Sequence, residues 1–166
     1  MKSFVFPLVL AMLLSVGSFA QTQIGNDIDG NMAGEKLGYS VSMPDANTMA
    51  VGITETANGS VRVYNWNGTA WVQKGLDISG ESSSDKSGWS VSMPDANTVA
   101  IGAPYNDGNG GSAGHVRVYS WNGTAWVQKG LDIDGETAND RSGQSVSMPD
   151  ANTVAIGAHL NDGTGV

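Results

Sequence analysis

The residues best suited to chemistry are carboxylates spaced two apart. Asp132 and Asp134 alternate before Gly135 and Glu136, and Asp140 follows. The pattern recurs earlier, with changes, as Asp77, Glu81 and Asp85, and before them as Asp27 and Asp29. Alternating carboxylates followed by glycine suit a calcium loop, because a hard cation takes about six to eight oxygens and glycine permits the sharp turn. Calcium is the one cofactor this pattern suggests; the other reading is an acidic, solvated loop. A second cluster, Asn106-Asp107-Gly108-Asn109-Gly110-Gly111, presents Asp107 and Asn109 either to a cation or ligand, or as a polar loop selected for turn geometry. Trp66 and Trp71, then Trp121 and Trp126, flank two Asn-Gly pairs. Paired Trp rings stack on sugars or anchor a protein partner, or else stabilise a hairpin as a cross-strand pair.

Catalysis has little to work with. The chain has no Cys, and His115 and His159 have no His or Cys partner at metal-ligand spacing. No Ser, His and Asp arrangement and no phosphate-cradling loop before a helix is evident, and nothing singles out a glycosidase pair among sixteen carboxylates. The expectation is a protein that is not an enzyme.

The start of the chain has a different use. Lys2, an apolar run over residues 4–16 and small residues at Ser18 and Ala20 read as a secretory signal peptide over 1–20, cleaved near Ala20. The expected location is secreted or cell-surface. Without Lys2, seven Lys and Arg stand against sixteen Asp and Glu, a net charge of −9. That argues against nucleic acid and anionic membranes as partners, and no later stretch suits membrane insertion. An exported chain without Cys has no disulfides, so packing or metal must hold it.

An internal repeat positions these residues. Residues 40–48 recur unchanged at 90–98 and 145–153, and residues 66–78 recur at 121–133. The spacing grows from 50 to 55 because a Gly- and Asn-rich stretch lengthens after residue 103, as expected of a surface loop on a regular scaffold. In each unit, residues 90–93 alternate polar and apolar as a strand does. Residues 94–97 have turn chemistry. Residues 98–103 are apolar or small nearly throughout, so that strand is predicted to be covered on both faces. Residues 115–121 alternate again, Asn122-Gly123 predicts a two-residue hairpin turn, and residues 124–129 give a fourth strand. Four antiparallel strands per unit of about fifty residues predict an all-β fold of β-propeller blades, with a two-sheet sandwich as the alternative.

The units also resemble a known family. Ser87-Gly88 before the 90–93 strand, Val-Ala-Ile-Gly-Ala-Pro at 99–104, the Asn106–Gly110 run and His-Val-Arg-Val-Tyr at 115–119 are similar to the FG-GAP repeat. That repeat builds the propeller of integrin α-subunit heads and of many exported bacterial proteins. The resemblance implies a rigid platform that recognises a protein or glycan ligand through its loops, in binding or adhesion. The family's calcium loop lies between the first two strands. Here that connection is the short 94–97 turn, so its ligand set does not carry over. A purely structural repeat array is the alternative function, and a carbohydrate-active enzyme a weaker one.

Residues 21–166 are thus expected to form a partial propeller. Residues 21–35 supply a closing outer strand and loop, with 23–28 aligning on 73–78; 36–85 form one blade, 86–140 a second and 141–166 half of a third. Closed rings have about four to eight blades. The expectation is therefore an N-terminal fragment of a longer product, or chains that self-associate through open blade edges.

Overall fold

The computed structural model describes residues 22–163. The signal-peptide expectation over 1–20 lies outside them. The described residues form strands, turns and bends, and no helix among them is long and apolar enough to cross a membrane.

Three sheets follow the repeat. The first orders β1 (Leu37–Asp45), β2 (Thr48–Ile53), β3 (Ser60–Trp66) and β4 (Trp71–Gln73), with β5 (Ile78–Ser79) also on β3. The second repeats it with β6 (Ser90–Asp95), β7 (Thr98–Ala103), β8 (His115–Trp121), β9 (Trp126–Gln128) and β10 (Ile133–Asp134). The third contains β11 (Ser145–Asp150) and β12 (Thr153–Gly157). All strand pairs within the sheets are antiparallel.

The sheets stack one on the next, as blades do. Val99 and Ile101 point from β7 into a core with Ala50, Val61 and Val63 of the first sheet, while Ala100 and Val116 point the other way, onto Met148 and Val146 of the third. The second sheet is covered on both faces, and every residue of β7 is buried. A two-layer sandwich would leave one face of each sheet bare. The unbroken apolar run at 98–103 therefore has the cause expected of it.

The alternating strand has a different logic. Ser40 donates to the Gly88 carbonyl at 2.7 Å, and the Ser42 hydroxyl accepts the Met93 amide at 2.9 Å. Ser90 and Ser92 repeat both bonds to Gly143 and Met148, at 2.7 and 2.9 Å. The polar positions of β1 and β6 thus face the next blade rather than water, and tie its backbone in register.

Four details differ from the sequence expectation. The first turn contains only Ala96 and Asn97; Pro94 and Asp95 remain in β6, where the register slips by one residue between Ser92 and Asp95. A bulge accepts proline because it needs no amide there. The Asn-Gly hairpin is a four-residue loop, because Trp121 pairs with Trp126 and only Gly123 of the dipeptide has a positive φ. The Asn122 side-chain oxygen accepts the Thr124 and Ala125 amides at 2.9 Å, doing the work a tighter turn would give to backbone. The fourth strand is split: β9 ends at Gln128, and β10 rejoins β8 after Gly130 (φ 83°) turns the chain outward and exposes Leu131. Lastly, residues 23–28 form no strand, since no described strand edge lies beside them to receive their backbone bonds.

Close approach of sheets leaves no room at Gly102. A Cβ there would meet the Gly143 carbonyl and the Ser90 hydroxyl. Gly102→Ala should destabilise the chain by about 1–3 kcal/mol or more, read as a lowered urea midpoint, whereas Gly111→Ala, in open space, should change it little.

Candidate functional site

The two ends of the blades differ in what they leave free. One end carries the two-residue turns and the Asn-Gly loops. There Trp121 and Trp126 pack with ring centroids 5.5 Å apart, and a Cβ on Gly75 of the preceding blade would lie 2.7 Å from Trp121. Trp126 donates to the Lys74 carbonyl at 2.8 Å. The Lys74 ammonium lies 5.3 Å from both ring centres and donates to the Ala96 carbonyl at 2.6 Å. Trp66 and Trp71, also 5.5 Å apart, hold residues 24–25 in the same way, Trp71 donating to the Ile24 carbonyl at 3.3 Å. The Trp pairs are thus clasps on the preceding segment as well as cross-strand pairs. Residues 23–28, though not a strand, occupy the position that 73–78 take one blade later.

The other end carries the longer loops, and here the carboxylates separate into three roles. Asp132 accepts from Arg117 Nε at 2.9 Å, from its Nη2 at 2.8 Å and from Gln128 at 2.7 Å. Asp77 sits likewise on Arg62, with both oxygens at 3.0 Å from Nε and Gln73 at 2.8 Å. Among the described residues Asp27 accepts a side-chain bond from Gln23 alone, at 2.8 Å. Each Arg takes a second carboxylate from the loop before its blade: Glu35 at 2.9 Å from Arg62, and Glu81 against Arg117. Asp85 and Asp140 are buried and cap their own loops, accepting the Ser82 amide at 3.1 Å and the Thr137 amide at 2.8 Å. Asp29 and Glu136 stay exposed, and the Asp134 side chain is 41% exposed. The structure therefore does not wrap each run of expected carboxylates around a point of its own; Glu81, Asp132 and Asp134 instead converge near His115. It hands Asp77 and Asp132 to guanidinium groups, and Asp85 and Asp140 to backbone.

The second cluster also ties loops together. Asn106 donates to Asp85 at 2.8 Å, Asn109 to the Gly135 carbonyl at 2.7 Å, and the Asp107 carboxylate accepts the Ser112 amide at 2.8 Å. Asn161 repeats the first bond to Asp140 at 3.1 Å, and Asn58 the second to Gly80 at 3.1 Å.

Charge states follow from these contacts. Burial is the largest influence on Glu35 and works against its ionised form, but the Arg62 hydrogen bond and charge together with the Asn31 and Met32 amides outweigh it and hold this carboxyl below its ordinary value. Arg117 likewise holds Asp132 low. Burial, with Arg117 nearby, pushes His115 down, so its imidazole is neutral at pH 7. Carboxylates with lowered folded values contribute stability that is present above their unfolded values and lost as pH falls through the folded ones.

Residues that the sequence did not single out form a row across this end. The rings of Tyr39 and Trp89 lie 4.7 Å apart, those of Trp89 and Tyr105 lie 5.6 Å apart, and the Arg141 guanidinium is 4.8 Å from the Tyr105 ring. Tyr39 is 42% exposed and Trp89 and Tyr105 are half-buried. Their signal was present: the aligned positions 39, 89 and 144 read Tyr, Trp and Gln between otherwise identical stretches.

Arg62→Met would strand Glu35 as a buried, unpaired charge. At pH 7 it should cost about 3 kcal/mol in urea unfolding, the low end for a broken buried pair because Asp77 is partly hydrated. The deficit relative to the parent chain should shrink as pH falls, because without Arg62 burial raises Glu35 and the variant's carboxyl takes up its proton at a higher pH than the parent's.

Residues 76–119 match the family model described as FG-GAP repeat. They run from the split in the first blade's fourth strand through β6 and β7 into β8. No curated protein gives a significant match to the chain. The units on either side repeat much of the same sequence, so the match places an FG-GAP repeat within a chain whose antiparallel sheets are arranged as propeller blades.

Proposed function

We propose that the chain is a non-catalytic binding module, exported to the cell surface or beyond, that presents its long-loop end to a protein or glycan ligand. The observation that carries this reading is the row of Tyr39, Trp89 and Tyr105 with the Arg141 guanidinium. These groups pack in a row that crosses all three units, and the row remains partly open to water. Flat aromatic faces beside a cation suit a sugar ring or an aromatic or acidic side chain of a partner, and such anchors dominate binding energy. The signal-like residues 1–20 support export. The family's use as a binding and adhesion platform supports the class of function.

A purely structural array is the second reading. It is favoured by the Trp pairs and the Asn-Asp-Gly loops, which all hold neighbouring blades together. Binding of the labelled chain to a glycan array and to a panel of extracellular-matrix proteins separates the two. Trp89→Ala is expected to weaken any captured ligand by about 30-fold, roughly 2 kcal/mol, with an unchanged β-sheet circular dichroism spectrum. Binding that survives both Trp89→Ala and Tyr39→Ala would move the site elsewhere. Silence across both panels would favour the array.

A further inference from the structure

At the start of β8, His115 has a buried nitrogen with nothing to bond. Its side chain is 3% exposed, and Nδ1 has no hydrogen-bond partner. Nδ1 faces two carboxylate oxygens, Asp132 Oδ2 at 3.6 Å and Asp134 Oδ1 at 3.9 Å. The placement comes from sheet register, since Asp134 pairs directly across from His115 and Asp132 is two residues back on the same face. Glu81 reaches the same point from the loop of the preceding blade. Ligand atoms of Glu81, His115 and Asp132 lie within 4.8 Å of one another.

We propose that Glu81, His115 and Asp132, with Asp134 as a further oxygen ligand, form a site for one divalent transition-metal ion of the zinc class. A gap of 3.6 Å is too long for a hydrogen bond. It is close to the edge of a tetrahedron around zinc, where donors about 2.1 Å from the ion stand about 3.4 Å apart. A neutral imidazole with carboxylates favours zinc over calcium, which takes oxygen alone.

Arg117 is the competitor and also the support. Its Nη2 contacts Glu81 and Asp132 Oδ2, so the ion must take those oxygens from it. Asp132 Oδ1 keeps its bonds from Arg117 Nε and Gln128, and these orient the carboxylate from outside as second partners of metal ligands do. Three carboxylates and one guanidinium leave two negative charges beside a neutral imidazole, which a divalent ion balances.

The first blade provides an internal comparison. It keeps Arg62 and Asp77 but has Asn31 for Glu81, Ser60 for His115 and Ser79 for Asp134. Three of the four ligand positions change together between copies whose neighbouring 13-residue stretches, 66–78 and 121–133, are identical. Of the two blades with a third strand among the described residues, the second alone carries this set.

Calorimetric titration of the full chain with zinc chloride, and the visible absorption of the cobalt-loaded chain, test this. One ion per chain, tetrahedral cobalt bands and a raised melting temperature are expected. His115→Ser, which installs the first blade's residue, should weaken zinc at least tenfold and remove the cobalt bands, while His159→Ala should leave both unchanged. Should His115→Ser fail to fold, Asp134→Ser at a more exposed position should still weaken zinc about tenfold. No zinc uptake, zinc uptake indifferent to both substitutions, or calcium bound as tightly as zinc would each overturn the proposal.

Discussion

A blade of this kind has two apolar faces, and neither can be left to water. Val99 and Ile101 leave one side of the second sheet, Ala100 and Val116 the other, and each needs a neighbouring sheet against it. Burying apolar surface is worth roughly 25 cal/mol per Å², so the fold stands on repeated stacking of whole blades. Everything else in the structure either fixes the angle and register of that stacking or is left over from it.

The fixing devices are polar and recur blade by blade. Near the inner strands, Ser40, Ser42, Ser90 and Ser92 bond to the backbone of the next blade. At the short-turn end, Lys74 and Trp126 clasp neighbouring blades, and Lys129 reaches the Ala151 carbonyl at 2.7 Å in the same way. At the long-loop end, Arg62 and Arg117 each join a carboxylate of their own blade to one from the loop before it. Hydrophobic stacking is non-directional; these bonds supply the direction.

Small differences between copies then redistribute partners. The first blade's shorter loop has no equivalent of Asn106, so the carboxylate at position 35 is free to reach Arg62, and a Glu is long enough to do so. In the second blade Asn106 takes Asp85, and Arg117 turns instead to Glu81. The loop insertion and the Asn31/Glu81 and Glu35/Asp85 differences together change which acid meets which base. A further difference, His115 for Ser60, sets an imidazole before carboxylates where the first blade has a serine.

The sequence by itself determined the repeat, the first three strands of each full blade and the buried character of residues 98–103, because these rest on local periodicity and on copies that can be aligned. It also placed the loops, where Gly and Asn permit left-handed backbone. It did not reveal where the serines of the alternating strand point, since polar alternation looks the same whether the polar face meets water or the next blade's amides. Nor did it separate the carboxylates near 132–140 into ion pairs and loop caps. Asp132, Asp134 and Asp140 are close in sequence, but sheet pairing turns two of them onto β8 and the third toward Asn161. Glu81 meets Arg117 only because one blade lies on another. That partnership joins the loop before the second blade to β8 and depends on three-dimensional stacking, which spacing along a single strand does not encode.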